Sequence, residues 1–276
     1  MSASVRMSSV TARRPASAPI WNSWRSSSSL KSMKADGGFM AGMIDAAMRW
    51  TAGFFLLMLA APAAMPETAR SSRLQGNVVL NTDPDSGLWL GAPAVIATRS
   101  ARGEETPRHR TEIRSRWTDT HLYFLFICPY EELYVNENPV TDRETNRLWE
   151  RDVAEVFIGA DFEKIWQYRE YQVSPLGEWV DLDIDRKEPK PEGGWRWDSG
   201  FQVAARVDAA RKAWYGAFKI PVRSITEKRV GPGFEFRVNF YRLQGPPPRK
   251  SIAWRATGPT GNHHIPEAFG ILRLEE

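Results

Sequence analysis

The sequence predicts an all-β protein, a single antiparallel β-sandwich of the immunoglobulin or jelly-roll kind, on three observations. Many short segments either alternate apolar with polar residues or run apolar throughout, the signatures of half-buried and fully buried strands. Clusters of Gly, Pro, Asp and Asn separate them, and no stretch carries helical periodicity of useful length. No repeat or internal linker interrupts the pattern, so one domain over residues 74–276 is expected.

What precedes that domain is of another kind. Residues 1–47 are rich in Ser, Ala, Arg and Met without periodicity, and are expected to be disordered or to precede the true start at Met40, Met43 or Met48. Residues 48–63 have the form of a secretory signal peptide: Arg49 as the basic end, Ala52–Ala61 as the apolar run, and Ala61-Pro62-Ala63 as the cleavage site. The run is too short to cross a bilayer comfortably, and no Cys follows it to carry a lipid. An exported protein, periplasmic or extracellular and without a membrane anchor after cleavage, is the expectation.

Within the domain, Asn77–Leu80 reads as a short strand, ended by Asp83-Pro84-Asp85-Ser86-Gly87, and an apolar stretch then runs from Trp89 to Ile96. Thr111–Trp117 and His121–Pro129 form a hairpin about Thr118-Asp119-Thr120. The second of these strands is apolar on both faces and therefore central. A long loop over 131–147 leads to the strand 148–158. Gln167–Ser174 and Trp179–Ile184 make a second hairpin about Pro175-Leu176-Gly177. Residues 193–197, Phe201–Val207, Ala213–Ile220, Phe234–Leu243, Ser251–Arg255 and Phe269–Leu274 complete the strands, with no more than a turn or two of helix over Val222–Lys228.

The segment L-W-E-R-D-V-A-E-V-F-I over 148–158 concentrates the chemistry. Ala154, Val156 and Ile158 share one face and Val153, Glu155 and Phe157 the other, so both faces are mostly apolar and the strand is central. A carboxylate there costs several kcal/mol unless it is paired or bound, on the order of 2–7 kcal/mol for an unpartnered polar group. Trp149 stands just ahead of it. On neighbouring strands, Glu170, Gln172 and Ser174 share a polar face, as do Arg237, Asn239 and Tyr241. Arg237 is the expected bidentate partner of Glu155. Amide, guanidinium and carboxylate groups beside an aromatic ring suit a pyranose, whose C–H face stacks and whose rim of hydroxyls hydrogen-bonds. The same residues also describe a core Trp with a buried Glu–Arg pair, and both readings stand at this point.

Composition removes several classes. Seven of the 37 Lys and Arg but two of the 33 acids lie in residues 1–63, which leaves 30 basic against 31 acidic residues and a near-neutral body without a footprint for nucleic acid. Cys128, the sole cysteine, excludes an intramolecular disulfide and lies in an apolar run, where it is a small core residue. No G-x-S-x-G, H-E-x-x-H or phosphate-loop motif is present. Glu150, Asp152 and Glu155 do not face one another as a glycosidase pair would, since Asp152 and Glu155 point to opposite faces.

Four stretches in order carry a resemblance: W-E-R-D-V-A-E-V-F-I, Y-R-E-Y-Q-V-S-P-L-G-E, F-R-V-N-F-Y-R, and a closing W-R…N-H-H-I-P-E-A-F-G-I-L-R-L. Together they resemble the family 9 carbohydrate-binding modules, β-sandwich domains of secreted, xylan-degrading systems related to DOMON-type modules. The resemblance spans roughly residues 74–276. It implies a non-catalytic, monomeric binder of an oligo- or polysaccharide, with a glycoside hydrolase as a further partner. It implies that Trp149 is one of two clamp tryptophans and that Glu155 is the hydrogen-bonding acid. Gln172 falls where the family often has Arg, and Arg237 where some members have Gln. The second clamp tryptophan is replaced by His263, whose imidazole offers less stacking area. Asn239, on the polar face that alternation gives Arg237, completes the expected binding set, and structural calcium is a further implication of the resemblance. Asp181, Asp183 and Asp185 alternate along one strand face and read as solvated surface; no cofactor and no metal site follows from them.

Two other classes share the fold. A DOMON-like haem or redox module needs Met or His ligands, but Met65 is the only Met after the leader, and His263 and His264 are adjacent residues whose side chains diverge on a strand. A protein-contacting sandwich, or an accessory domain of a glycoside hydrolase system, would use the proline run at 246–248 and exposed Trp195 and Trp197.

Overall fold

The computed structural model describes residues 67–276. The expected signal peptide and the Ser- and Arg-rich segment before it lie outside the described residues. Twelve strands make up the domain: β1 (Thr68–Arg73), β2 (Ala94–Ala97), β3 (Thr111–Trp117), β4 (His121–Pro129), β5 (Val153–Gly159), β6 (Gln167–Val173), β7 (Trp179–Asp185), β8 (Gln202–Asp208), β9 (Ala213–Pro221), β10 (Glu235–Gln244), β11 (Lys250–Ala253) and β12 (Gly270–Glu275). The helical content among the described residues is four single 3-10 turns, in keeping with the all-β expectation.

The strands hydrogen-bond in the order β7-β6-β5-β10-β12-β1-β3-β4-β9-β8, with β11 beside β10 and β2 beside β3. The sheet curls over until β6 packs on β8 and β9, giving a nearly closed barrel or sandwich. It is mixed rather than purely antiparallel. β1, which lies ahead of the expected domain start at residue 74, runs parallel to both β12 and β3. Its burial alternates along T-A-R-S-S-R, with Ala69 and Ser71 inward, a pattern too small and polar to declare itself as a strand.

Other differences are local. Asn77–Leu80 joins no strand ladder; Val78 N donates to the Tyr123 hydroxyl at 3.3 Å and Asn77 Oδ1 accepts from Lys219 Nζ at 2.7 Å. Residues 193–197 do not form a strand and touch β7 through a single bridge, Leu182 to Arg196.

Both predicted central strands are buried on two faces for an identifiable reason. Phe124 and Phe126 of β4, Ala154, Val156 and Ile158 of β5, and Phe236, Val238 and Phe240 of β10 all enter the main core. Phe240 packs on Phe124, Phe126 and Trp254. The outer face of β4, Tyr123 and Leu125, is covered by Leu88 and Trp89 from the segment before β2. The outer face of β5, Val153 and Phe157, joins a separate cluster with Leu148, Tyr168, Leu182, Tyr241 and Phe269, beneath the candidate site. Burying each such aromatic contributes about 1.5–3 kcal/mol.

Gly270 shows why the closing F-G pair needs glycine. A Cβ there would lie 2.6 Å from the Glu67 carbonyl oxygen and 2.6 Å from the Trp254 ring.

Candidate functional site

Register brings the acids together. Across the sheet Glu155 faces Gln172 of β6 on one side and Tyr241 of β10 on the other. Glu170, two residues before Gln172, falls on the same face. Glu155 is 2 % exposed and Glu170 3 %, while Gln172 is fully buried. Gln172 Nε2 donates to Glu155 Oε1 at 3.0 Å and also to Glu170 Oε1. One amide thus ties two carboxylates. Burial and the neighbouring Glu155 charge push the Glu170 carboxyl well above the ordinary range. Glu170 Oε2 and Gln172 Oε1 are buried without a hydrogen-bond partner.

His263 closes the other side of Glu155. Its Nδ1 lies 2.9 Å from Glu155 Oε2 and its Nε2 2.7 Å from Ser251 Oγ. With the proton on Nδ1, the ring donates to the carboxylate and accepts from the hydroxyl. Its face lies on the Tyr241 ring, centroids 4.1 Å apart. Both nitrogens and one face are therefore engaged, so His263 is a wall of the site rather than a free stacking plate, and it offers no nitrogen to a haem iron. His264 beside it is pushed down to about 4, chiefly by burial, and its Nδ1 lies 2.8 Å from the Tyr168 hydroxyl.

Trp149 is neither sealed in the core nor fully exposed. It sits in the 3-10 turn Leu148–Glu150, entered through Arg147 at φ 62°. Arg249 secures the turn by donating to the carbonyls of Trp149 at 2.6 Å and Arg151. The half-buried indole borders a groove of about 300 Å³ whose lining includes Glu155, Glu170, Lys190, Trp195 and His263. A second hollow of about 440 Å³ continues outward past the same Trp149, Leu182, Lys190 and Trp195, with Arg147 and Arg196 beyond. These volumes fall at the small end of ligand sites, about 300–1,000 Å³.

Trp195 is the residue that sequence reasoning placed elsewhere, on a surface for protein contacts. Gly193 and Gly194 both take positive φ, 83° and 88°, and turn the chain so that the indole reaches the groove. Asp183 N donates to the Trp195 carbonyl at 2.8 Å and pins it to β7. The signal available was a Trp directly after a Gly-Gly pair, in a chain already short of a second aromatic plate. Lys190 Nζ stands 5.4 Å from the Trp195 ring centre.

Two of the expected binding residues lie apart from this groove. Arg237 is not the partner of Glu155. It pairs in register with Gly159 and turns to the carbonyls of Pro266 and of Ile165, the latter at 3.4 Å, with its guanidinium 5.6 Å from the Phe269 ring centre. Alternation put it on the correct face, but it stands four residues along β10 from Tyr241, the residue beside Glu155. Asn239 is fully buried and structural, donating to the Tyr241 hydroxyl at 2.7 Å and the Arg255 carbonyl at 2.9 Å. Trp149, Glu155 and His263 thus line the groove, and Gln172 supports it from behind.

Asp181, Asp183 and Asp185, expected as solvated surface, each have a partner within the chain. Asp181 is buried rather than solvated and accepts from Ser199 N at 2.8 Å, Asp183 pairs with Arg169, and Asp185 accepts from Gln167 at 2.8 Å. Calcium takes about six to eight oxygens, and no group of three or more His, Cys, Asp or Glu among the described residues is disposed to hold a metal.

Comparison with known proteins places this architecture. Two solved structures of a family 9 carbohydrate-binding module from Caldicellulosiruptor kristjanssonii, one with cellotriose and one with glucose, are similar in fold. The first has a TM-score of 0.56 and 16% identity over 76% of this chain and 94% of that one. The second has a TM-score of 0.53 and 15% identity over 76% and 96%. A Bacteroides uniformis protein described as a candidate carbohydrate-binding protein aligns with a TM-score of 0.58 and 14% identity, over 76% of this chain and 100% of that one. No curated protein matches. Residues 85–276 match the family described as "Carbohydrate family 9 binding domain-like", and the chain belongs to that family.

Proposed function

We propose that this protein is an exported, non-catalytic carbohydrate-binding protein that holds an oligosaccharide in the groove between Trp149 and Trp195. The observation that carries the reading is the pairing of two half-buried indoles with a floor of buried acids, Glu155 and Glu170, tied by Gln172. The indoles offer flat apolar faces to the C–H side of a pyranose, and the acids accept from its hydroxyls. The related Caldicellulosiruptor kristjanssonii module was solved with cellotriose and with glucose, and family 9 modules are non-catalytic, which supports the same reading. The two acids lie side by side on one amide, not across a cleft with a scissile bond between them. The outer hollow extends the groove for further sugar units. In this reading the protein works as a monomer beside glycoside hydrolases in the breakdown of xylan-like or other plant polysaccharides.

A glycan array probed with the purified protein, followed by calorimetry on the best ligands, tests the function. Selective retention of β-linked gluco- or xylo-oligosaccharides is the expected result. Failure to retain any glycan, with the protein folded, overturns it. Leader cleavage and fractionation of the expressed protein test export.

A further inference from the structure

We propose that the groove prefers a hexosamine unit bearing a free 2-amino group, and that Glu170 takes its ammonium. This rests on the carbohydrate reading above and names the class of sugar. Two buried side-chain atoms here lack partners: Glu170 Oε2, on a residue that lines the groove, and Gln172 Oε1, behind it; with Glu170 ionised both are acceptors. Glu170 lines the groove and is 3 % exposed, so water does little for its free oxygen. Glu155, in contrast, already has a partner on each oxygen, Gln172 on one and His263 on the other. For the ionised Glu170, which shares the Gln172 amide with a second acid, the fitting partner is thus a donor that carries positive charge. An ammonium has three N–H donors and no acceptor, whereas a hydroxyl brings one donor.

Charge and shape agree. The acids on the lining are Glu155 and Glu170; the cation there, Lys190, stands 5.4 Å from the Trp195 ring centre, and its charge also acts on Glu170, less strongly than burial and Glu155 do. His264 is held neutral by burial, with the Arg186 guanidinium donating to its carbonyl, and the Tyr168 and Tyr241 phenols on the adjoining strands are pushed up and so uncharged. Trp149, Trp195 and Phe157 also line the groove and present π faces that attract a cation. In the free protein, burial and the Glu155 charge favour the protonated Glu170. An ammonium beside it reverses that preference, so capture of the amine releases the carboxyl proton.

The test compares three β-1,4 disaccharides that differ at C2: cellobiose with a hydroxyl, the glucosamine dimer with an ammonium, and the N-acetylglucosamine dimer with an amide. Calorimetry is run near pH 6 (about), below the amine's own titration range. The glucosamine dimer is expected to bind about tenfold more tightly than cellobiose, the scale of one charge-assisted hydrogen bond. Glu170→Gln is expected to bring that ratio to about one. Cellobiose binding as tightly as the diamine, or a ratio unchanged in Glu170→Gln, overturns the inference and leaves the carbohydrate reading intact. No binding of any of the three, by a folded protein that also retains nothing on the array, removes both. Should Glu170→Gln fail to fold, wild-type titrations in buffers of different ionisation enthalpy decide. Proton release with the diamine but not with cellobiose supports the proposal, and equal proton exchange for both overturns it.

Discussion

The imidazole of His263 lies flat on the phenol ring of Tyr241, their planes within 5° and their centroids 4.1 Å apart. This contact turns a residue at the expected clamp position into part of the wall. The ring is spent on Tyr241, Ser251 and Glu155, and the groove takes its second indole from the segment before β8.

Removing the imidazole should therefore register as lost stability. His263→Phe preserves the stack on Tyr241 but leaves Glu155 Oε2 and Ser251 Oγ without a partner. A loss of about 1–3 kcal/mol is expected in urea unfolding. An unchanged urea midpoint would show that the Glu155 contact is not worth its geometry.

The indoles should behave in the opposite way. Trp149→Ala and Trp195→Ala each remove a half-buried plate, so cellotriose affinity is expected to fall by at least about tenfold with under about 2 kcal/mol of stability lost. Loss of ligand-induced fluorescence change and a thermal melt report the two quantities separately. If either variant melts far below wild type yet binds as before, that tryptophan is core and not clamp.

Arg237 should matter to the fold and not to the sugar. Arg237→Met withdraws donors from the carbonyls of Pro266 and Ile165, at an expected cost of about 1–3 kcal/mol. Cellotriose affinity should stay within about twofold of wild type, a shift of about 0.4 kcal/mol. A collapse of affinity without a change in unfolding would return Arg237 to the binding set.

Glu144 gives a pH signature. Burial and the neighbouring Asp181 push its carboxyl up to about 8 from an ordinary value of 4.5. Between those values the folded chain keeps a proton that the unfolded chain has released, so this group makes stability fall as pH rises from 4.5 to about 8, with no further change above. His264, lowered to about 4 from 6.5, works in the opposite sense between those values. The informative quantity is the difference between wild type and Glu144→Gln. The variant is expected to gain relative stability steadily across the Glu144 window, and parallel pH curves would rule out the shift.

Gly270→Ala tests the packing of the closing strand. The added methyl meets the Glu67 carbonyl oxygen and the Trp254 ring at 2.6 Å, with backbone on one side and a core indole on the other. Overpacking of this kind costs about 1–3 kcal/mol. A variant as stable as wild type would mean that the start of β12 shifts freely.

Much of the fold was legible because period-two patterning is local. β3, β4, β6, β7, β9 and β10 fall within a residue or so of their expected bounds, and the two faces of β5 divide between two clusters as alternation demands. β1 was missed because T-A-R-S-S-R lacks the large apolar residues that mark a strand, and its parallel pairing with β12 joins the two ends of the domain. Within the site, Glu155 stood out as a costly residue on an apolar strand and Trp149 as the ring just ahead of it. Trp195 and Glu170 did not, since one depends on two left-handed glycines and the other on a neighbour across the sheet.

By itself the sequence determined which large apolar residues face inward along the strongly patterned strands, where those strands turn, and that one acid would be buried on β5, because side-chain direction and desolvation cost depend on adjacent residues. Tertiary structure alone decided what the acid meets: His263 and Gln172 instead of Arg237, with Trp195 across the groove from Trp149. Those partners are chosen by register between strands and by loop geometry, which bring together residues remote in the chain and leave no periodic trace in it.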